Sequence, residues 1–561
     1  MFIICPTRPP EQALVMDEKS DLPSLNAFLN AALREGLLAE ARMTDRHLEF
    51  RLPDGELACV TVSAQSRFRC RFSHPVTSGG IRIGVAELLA RLTADADPVF
   101  AARVADSVAT VRDIADADGE PEGWTFDEAE MALRFGHVLH PNPRSRDGLT
   151  AREAWRYAPE SGRSFALSWF AVEPGCTASG GAATDGFNQL AMADGIRVPH
   201  GLQAMPVHPL QLGRFDRNRA ALESSGERGI IPLGEGRANW RSTASMRAVH
   251  AFHAPYMVKF SLNIRLTNSI RLLAPREVLR GLHVTDLLKS SIGDEIATAF
   301  PKLTVLTEPA FVALKGAEGA AVAETIAVLR DNPFRDAGQA GPVILAALCE
   351  MPREGVSPLG RMILRLAGQG EPGPVARRWF ADFLDKAIHP ILEMRARWGL
   401  LFGSHQQNMM LRLNDGWPDG VVIRDCQGTG HLIGFHDRLA AICPGIGEGA
   451  ENILDAETGD NLLTYYVVVN SVMNTLATIA LDGLADEAAL YDVWRAFLER
   501  AARETPGDAA LYRKLVAEPR LTAKANFATS LSGVNEADGG SEAQLAQFID
   551  LENPLARSEA A

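Results

Sequence analysis

Residues 403–425 combine side chains that can bind anions, metal ions and nucleotides. These side chains are His405, Gln407, Asn408, Arg424 and Asp425. Between them, the apolar runs 409–413 and 421–423 are separated by Asn414-Asp415-Gly416, which suits the positive φ angles of a hairpin turn. The pattern predicts a hairpin that carries a nucleotide and metal site at its ends. The alternative is that the histidine and the aspartate only cap the strands.

The segment 257–266 alternates apolar and polar residues, which predicts a strand with one polar face. That face carries two cations, Lys259 and Arg265, and Asn268 and Arg271 follow after an expected bend. Like charges on one strand repel each other unless a negative group lies among them. The strand is therefore expected either to line a cleft that binds a polyphosphate or to face carboxylates on a neighbouring strand.

A third group of polar residues, in a segment rich in proline and glycine, comprises His137, His140, Arg144 and Arg146. Such a rigid loop could hold a carboxylate or a phosphate through its forked arginine side chains. The alternative is a surface loop whose arginines are solvated. The sequence contains neither a P-loop nor a Rossmann glycine fingerprint. A bound nucleotide would therefore depend on Arg, Lys, Ser and a metal ion.

The composition is typical of a soluble protein with more than one domain. A chain of 561 residues exceeds what one core accommodates, so we expect two or three domains. The net charge of −14 argues against a nucleic-acid partner. The seven scattered cysteines fit a reducing compartment, and residues 1–10 lack the apolar core of a signal peptide. We therefore expect a cytoplasmic protein.

Periodicity predicts a mixture of helices and strands. Helical spacing of apolar residues runs through 24–44, followed by strands at 48–52, 57–62 and 68–72 and by helices at 84–93 and 98–116. Towards the C-terminus, helices are expected at 375–398, 460–482, 487–502 and 509–517. The uncharged run 462–481 contains two asparagines, which favours a helix in a protein core over one in a membrane. The acidic tail after Ser530 is expected to be loosely ordered.

Taken in order, the polar motifs resemble the IucA/IucC family of NRPS-independent siderophore synthetases. The motifs that carry the resemblance are His137-x-x-His140-Pro141 with Arg146 and Gly148, Pro206-Val207-His208-Pro209-x-Gln211, Ser245-x-Arg247, Lys259 through Thr267-Asn268-Ser269-x-Arg271, His405-x-Gln407-Asn408 and Arg424-Asp425. Each motif is weak alone, but the ordered set is specific.

The resemblance implies a multidomain α+β fold shaped like a cupped hand. A thumb-like α/β module would span 1–125, and a fingers domain with an antiparallel sheet and the ATP-phosphate residues would span 126–335. A mostly helical palm with a small sheet would span 336–561 and contain the hairpin of His405 and Asp425. The resemblance also implies a homodimer.

The resemblance further implies an enzyme that uses ATP and Mg²⁺ to adenylate a carboxylate of citrate or a related acid. An amine or alcohol then attacks the acyl-adenylate, which releases AMP. Ser245, Arg247 and Lys259 are implied to hold the ATP phosphates, with Gln407 near the nucleotide and Asp425 on the metal. This reaction requires cations in the site, because the carboxylate of the acid must approach the negatively charged phosphates of ATP.

The acid is implied to bind to His405, Asn268 and Arg271, with His140 and Thr267 nearby. Lys259, Arg247 and His405 are the implied catalytic residues. Citrate suits this set, although a citryl monoamide or 2-oxoglutarate would also be compatible. The nucleophile is not defined by any motif.

Four positions depart from the family pattern. Val138 stands where proline is common, Arg144 stands where lysine is common, Leu210 replaces an aromatic residue, and Gly403 stands where glutamate is common. We expect a neighbouring residue or water to replace the missing carboxylate at Gly403.

Two other functions are compatible with parts of the pattern. His405, Asn408 and Asp425 are similar to the polar residues of a kinase-like phosphotransferase. However, Gln407 stands where such an enzyme would have its catalytic aspartate. A silent binding protein for citrate or a ferric siderophore is the other alternative, although it would not need the nucleotide residues Ser245 and Lys259.

Overall fold

The computed structural model describes residues 20–114, 116, 119–224, 229–316, 319–535 and 547–556. The signal-peptide expectation for residues 1–10 therefore lies outside the described residues. Most of the acidic tail, at 536–546 and 557–561, also lies outside them.

The N-terminal part packs helices against one face of an antiparallel sheet with the strand order β1-β2-β3-β4-β5. Its strands are β1 (Ala39–Met43), β2 (His47–Arg51), β3 (Leu57–Gln65), β4 (Cys70–Ser78) and β5 (Ile81–Arg82). Its helices are α1 (Leu22–Arg34), α2 (Val85–Leu92) and α3 (Pro98–Asp113). Alternate residues of β2 and β3 are buried, as the period of two predicts.

The helix expected across 24–44 is too long, because α1 ends at Arg34. Gly36 follows with φ of 67°, a conformation that commonly terminates helices. Beyond this turn, Ala39–Met43 pairs with His47–Arg51, so sheet pairing overrides the apolar spacing that continues to Leu38. The other strands and helices expected in this part are confirmed.

The middle part contains the largest sheet, with the strand order β11-β12-β13-β18-β17-β8, and smaller three-stranded sheets. Its strands are β6 (Arg146–Asp147), β7 (Ser168–Val172), β8 (Thr177–Gly181), β9 (Gln203–Val207), β10 (Ile230–Glu235), β11 (Arg241–Ser242), β12 (Ala248–His250), β13 (Tyr256–Phe260), β14 (Arg265–Leu266), β15 (Ser269–Ile270), β16 (Leu303–Val305), β17 (Ala310–Leu314) and β18 (Ala327–Asp331). Its helices are α4 (Phe126–Met131), α5 (Ala151–Tyr157), α6 (Ala183–Ala193), α7 (Leu212–Ser224), α8 (Pro275–Leu288) and α9 (Ser291–Ala299).

The strand expected at 257–266 is interrupted, because β13 ends at Phe260 and the chain pairs again only at β14. The N–H of Ser261 still donates to Ile326, which stands opposite it next to β18. From Leu262 onward the chain pairs instead with the segment that follows it, because Leu262 donates to Arg271 and Arg271 donates to Ile264. As a result, Lys259 and Arg265 do not share one face.

The C-terminal part is mostly helical and contributes strands to three small sheets. Its helices are α10 (Leu345–Leu348), α11 (Pro358–Ala367), α12 (Pro372–Phe383), α13 (His389–Trp398), α14 (His436–Ile442), α15 (Ala456–Leu463), α16 (Asn474–Leu481), α17 (Glu487–Glu504), α18 (Ala510–Ala517) and α19 (Asn526–Leu531). Its strands are β19 (Val343–Ile344), β20 (Leu400–Phe402), β21 (Met409–Asn414), β22 (Trp417–Ile423), β23 (Thr429–Leu432), β24 (Ile453–Leu454), β25 (Arg520–Lys524) and β26 (Phe548–Glu552).

The predicted hairpin is confirmed, because β21 and β22 pair antiparallel with Asn414 opposite Trp417. Asp415 and Gly416 have φ angles of 49° and 82°, as the turn requires. The helices predicted in this part are also found. Two of them are continued by π-helical turns, at Leu384–Ile388 and Thr464–Met473.

The uncharged helix expected at 462–481 lies within a longer helical segment, Ala456–Leu481. This segment is long and apolar enough to cross a membrane, but 83% of its most apolar stretch is buried inside the protein. The hydroxyl of Ser471 donates to the carbonyl of Ser404, and Asn474 donates to Gln406. The segment is thus a core helix whose polar residues are hydrogen-bonded.

Separate apolar cores confirm the multidomain α+β class. One core lies in the N-terminal part and also includes Phe527 of α19, and a second lies within residues 165–329. A third core unites the C-terminal helices with residues 124–139 and 284–306 of the middle part. Since this core crosses position 335, the boundaries at 125 and 335 remain predictions.

Candidate active site

A cavity of about 370 Å³ lies where the middle and C-terminal parts meet. All ten residues that the sequence predicts for the site line it: His140, Ser245, Arg247, Lys259, Thr267, Asn268, Arg271, His405, Gln407 and Asp425. They come from separate loops and strands, so the fold brings the predicted set together. The role of each residue remains a prediction.

One end of the cavity is a cluster of buried charges around Lys259. Its ammonium lies 2.5 Å from Oδ1 of Asp425 and 3.2 Å from Oε1 of Glu308. Arg330 donates to Glu308 over 2.7 Å and lies 4.0 Å from Asp425. Strand β13 positions the lysine, and β18, its neighbour in the sheet, positions Arg330.

This cluster attracts anions, because its cations outnumber its carboxylates. Burial raises the pKa of Asp425, but Lys259, Arg247 and Arg330 outweigh burial and hold that pKa well below its usual value. Asp425 is therefore ionised at neutral pH. With Glu308 it supplies two negative charges against three positive ones, and the excess suits a polyphosphate.

Three residues at the cavity have left-handed backbone conformations that are unfavourable for residues other than glycine. These are Met246 (φ 63°), Thr267 (φ 55°) and Asp425 (φ 73°). Each lies in or beside a predicted site motif. Strain of this kind persists where the surroundings fix it, and it concentrates at functional sites.

The turn between β11 and β12 carries Ser245 and Arg247 into the cavity. Arg247 donates to the side-chain oxygen of Gln427 over 3.0 Å, which fixes the guanidinium beside Asp425. Gln407 donates to the carbonyl of Ala244 over 3.0 Å and so joins the hairpin to this turn. The turn and the hairpin together form a polar wall next to the charge cluster.

The next part of the cavity contains the residues predicted to bind the acid. His140 donates from Nε2 to the side-chain oxygen of Asn268 over 3.0 Å, since its Nδ1 accepts from the N–H of Asn142. Arg271 donates to the hydroxyl of Thr267 over 3.2 Å. These bonds position the amide of Asn268 and the guanidinium of Arg271 at the cavity, where both groups can donate to carboxylate oxygens.

His405 lies between these residues and the metal-binding aspartate predicted at position 425. Burial lowers the pKa of His405 to about 4, although the Asp425 carboxylate acts in the opposite direction. Its Nδ1 accepts from the N–H of Gln407 over 3.3 Å, and its Nε2 lies 3.2 Å from Nδ2 of Asn408. Both nitrogens of this ring therefore lie next to N–H donors of the segment that carries Gln407 and Asn408.

The arginine forks expected at Arg144 and Arg146 are already engaged. Both arginines pair with Glu160, with Nη1 of Arg144 3.9 Å from the carboxylate. Glu350 fixes the start of the same loop by accepting from three consecutive main-chain N–H groups, including that of Phe135 at 2.5 Å. These two arginines therefore shape the cavity wall.

Several lining residues escape the sequence analysis. Tyr465, Tyr466 and Asn470 project from the π-helical turn, and Lys524 ends β25. A helical period of 3.6 does not describe a π-helix, so the periodic pattern gave no reason to select the tyrosines. A Cβ at Gly403 would lie 3.6 Å from the ring of Tyr466, so this ring stands beside the position of the missing glutamate.

The residues present fit a magnesium nucleotide. Asp425 carries the one carboxylate among the described residues that line the cavity, and its side chain is 27% exposed. Among the described residues there is no cluster of three or more His, Cys, Asp or Glu that could enclose a metal. One carboxylate with substrate phosphates and water is a usual environment for Mg²⁺.

Known proteins similar to this chain define its class. The sequence profile of the IucA / IucC family matches residues 125–350, and that of the ferric iron reductase FhuF-like transporter family matches residues 377–539. A rhizobactin siderophore biosynthesis protein of Rhizobium meliloti is 34% identical over 451 residues, which are 78% of this chain and 76% of that protein. The chain belongs to the IucA/IucC family.

Two further similarities cover most of the chain. The N(2)-citryl-N(6)-acetyl-N(6)-hydroxylysine synthase of Vibrio mimicus is 30% identical over 78% of this chain and 75% of its own length. The structure of ATP-bound aerobactin synthetase IucA from Klebsiella pneumoniae superposes with a TM-score of 0.84 at 26% identity and covers 95% of this chain and 99% of that one. The resemblance stated from the motifs is thus confirmed.

Proposed function

We propose that this protein is an ATP-dependent siderophore synthetase that adenylates a carboxylate of citrate and condenses it with an amine. The observation that carries the proposal is the buried cluster of Lys259, Arg247 and Arg330, whose positive excess adjoins Arg271 and His405 in one cavity. A nucleotide polyanion and an organic acid would occupy adjacent parts of this cavity. Family membership, and relatives whose names specify citrate ligation, support the same function.

In the first step, a citrate carboxylate oxygen attacks the α-phosphorus of ATP and pyrophosphate leaves. Lys259 and Arg247 offset the charge that develops between the α-phosphate and the leaving group. Arg271, Asn268 and His405 hold the acid so that one carboxylate meets the phosphate. Bound Mg²⁺, held by Asp425, would neutralise part of the phosphate charge.

In the second step, the amine nitrogen attacks the acyl carbon, the bond to AMP breaks, and the amine loses a proton. The product is an amide. The cavity excludes much of the bulk water that would hydrolyse the acyl-adenylate, because most of its lining residues are buried or half-buried. An ester would form by the same steps if the nucleophile were an alcohol.

Dependence on Mg²⁺, a homodimeric assembly and a cytoplasmic location belong to the same proposal. The metal is supported by Asp425, which carries the one carboxylate among the described lining residues and lies in the charge cluster around Lys259. The homodimer follows from the family resemblance and is tested by light scattering at micromolar protein concentration. Nucleic acids and membranes are not expected partners.

The test is an assay with ATP, Mg²⁺ and hydroxylamine as a substitute nucleophile, in which only the acid is varied. We expect AMP and pyrophosphate with citrate and much less with 2-oxoglutarate. Production of ADP would favour the phosphotransferase, and citrate binding without turnover of nucleotide would favour a binding protein. Release of AMP only with 2-oxoglutarate would keep the chemistry and replace the acid.

A further inference from the structure

The short helix α4 is attached to the turn that carries Ser245 and Arg247. The carboxylate of Asp127 in this helix accepts from His250 over 2.6 Å and from Arg241 over 2.8 Å. Arg241 belongs to β11 and His250 to β12, the two strands that the turn connects. The helix is therefore fixed to both sides of the turn.

The same helix reaches the tip of the turn through Glu130, which is 1% exposed. Its Oε2 accepts from the N–H of Ala244 over 2.7 Å, and its Oε1 accepts from Nη1 of Arg424. The side chain of Arg424 is 3% exposed, so this ion pair is shielded from water. One carboxylate thus joins the turn of the middle part to the end of the hairpin in the C-terminal part.

The hairpin holds the same peptide group from its other side. Nε and Nη2 of Arg424 donate to the carbonyl of Gln407 over 3.2 and 2.8 Å. The amide of Gln407 in turn donates to the carbonyl of Ala244 over 3.0 Å. A closed loop of hydrogen bonds therefore runs from Glu130 through Arg424, Gln407 and Ala244 and returns to Glu130.

This loop of hydrogen bonds is connected to two of the strained positions at the cavity. Ala244 precedes Ser245 and the left-handed Met246, and Arg424 precedes the left-handed Asp425. Such conformations persist only where the surrounding structure holds them. The bonds of Glu130 therefore act where the backbone most needs support.

We propose that Glu130 is a positioning residue that sets the turn against the end of the hairpin, so that both can bind one nucleotide. This inference rests on the proposed function, since it names a residue that prepares the ATP site of the same reaction. Glu130 does not line the cavity, so it acts through Ala244 and Arg424 and not by contact with ATP. Misplacing groups that bind a reacting substrate by about 1 Å can reduce the rate about 100-fold.

The experiment is the substitution Glu130→Gln, followed by pyrophosphate release with citrate, Mg²⁺ and hydroxylamine. Glutamine keeps the shape but replaces one acceptor oxygen by a donor, so either Ala244 or Arg424 then faces a donor. We expect kcat/KM for ATP to fall about 10–100-fold, the range for a hydrogen bond to a charged group. KM for citrate should change little, because Asn268 and Arg271 are positioned by other bonds.

The sign of this effect separates geometry from charge. Removing a negative charge would by itself favour binding of the polyanion, so a higher Kd for magnesium ATP in calorimetry would indicate lost geometry. Glu130→Asp keeps the charge and both acceptor oxygens on a shorter side chain. It is expected to be less impaired than Glu130→Gln.

The matched control is Glu128→Gln, which makes the same change at an exposed position of the same helix. Glutamine can replace glutamate in the capping box that Glu128 forms with Thr125, so we expect unchanged kinetics. Circular dichroism and thermal unfolding show whether each variant is folded. If Glu130→Gln does not fold, Glu130→Asp decides by the same comparison of ATP with citrate.

A folded variant with unchanged kcat/KM for ATP would overturn the proposal. Equal losses for ATP and citrate would indicate a purely structural role for Glu130 and would overturn it as well, as would a larger effect on citrate than on ATP. These outcomes refute this inference alone, because they require an active wild type. Absence of pyrophosphate release by the wild type with every acid would instead refute the proposed function.

Discussion

Nζ of Lys259 lies 2.5 Å from Oδ1 of Asp425, although 166 residues separate them in the sequence. The lysine comes from the large sheet of the middle part, and the aspartate follows the hairpin of the C-terminal part. In the structure the two charges satisfy each other. In the proposed reaction, the phosphates of ATP would take over the lysine and the metal would take over the aspartate. The pair therefore marks the place where the two parts of the protein would meet the nucleotide.

Replacing this lysine tests its role in adenylation. We expect Lys259→Met to slow pyrophosphate release about 100–1000-fold, because it removes a cation from the developing charge. Lys259→Arg should be less impaired. The control is Lys302→Met, since Lys302 is 62% exposed and pairs with Asp419 outside the cavity. Because the substitution also leaves Glu308 with one fewer partner, circular dichroism must show that the variant is folded; a folded variant with normal release contradicts the role.

The carboxylate of Asp425 is tested through the metal. Asp425→Asn keeps the size of the side chain and removes the negative charge, so we expect the Mg²⁺ concentration for half-maximal pyrophosphate release to rise about tenfold or more. Binding of metal-free ATP should not weaken, because the cluster becomes more positive. Magnesium titrations at fixed ATP measure the first effect and calorimetry measures the second. An unchanged magnesium requirement would remove Asp425 from the metal site.

Arg271 is expected to bind the acid with its forked side chain. Its conservative replacement Arg271→Lys keeps the charge but cannot form paired bonds, so we expect KM for citrate to rise about tenfold while KM for ATP changes little. Arg265→Lys is the matched control, since Arg265 donates to the main chain of Gly533 and Val534 and does not line the cavity. Equal effects of both substitutions would argue against a specific role for Arg271.

These two arginines show how far the sequence predicts the site. Alternation alone placed Arg265 beside Lys259 on a polar face, and the structure separates them because the chain leaves β18 after Ser261 and pairs with its own following segment, where Leu262 donates to Arg271. The turn at Asp415 and Gly416, in contrast, is fixed by local backbone preference and was predicted correctly. Local patterns thus define turns and most helices, whereas the direction of a polar side chain depends on distant segments.

The partners of Lys259 illustrate the same limit. Glu308 contacts the lysine directly and Arg330 pairs with the same carboxylate, and neither residue belongs to a motif that spacing could identify. The order of the motifs predicted the family and ten residues that line the cavity. The excess of positive charge in the cluster around Lys259 could be recognised only from the three-dimensional structure.

His208 provides a test of stability that is separate from catalysis. Its ring is buried among Tyr157, Phe165 and Phe260, and its Nδ1 accepts from the N–H of Leu210 over 3.1 Å. Burial lowers its pKa from 6.5 to about 3. The unfolded chain therefore binds a proton below about pH 6.5, and the folded protein does not do so until about pH 3.

The free energy of unfolding should accordingly fall as the pH decreases through this window, by at most about 1.4 kcal/mol per pH unit for this one group. His208→Asn can keep the bond to the N–H of Leu210 through its amide oxygen and cannot be protonated. We expect this variant to be less stable than the wild type at pH 7.5, because it buries an amide among aromatic rings, and to lose less stability between pH 6.5 and 4.5. Urea titrations at several pH values measure both slopes.

Glu350, whose pKa burial raises to about 7, acts with the opposite sign in both proteins, so its effect cancels when the two slopes are compared. Equal slopes for the two proteins would show that His208 is already protonated in the folded state, for which its apolar surroundings offer no counter-charge.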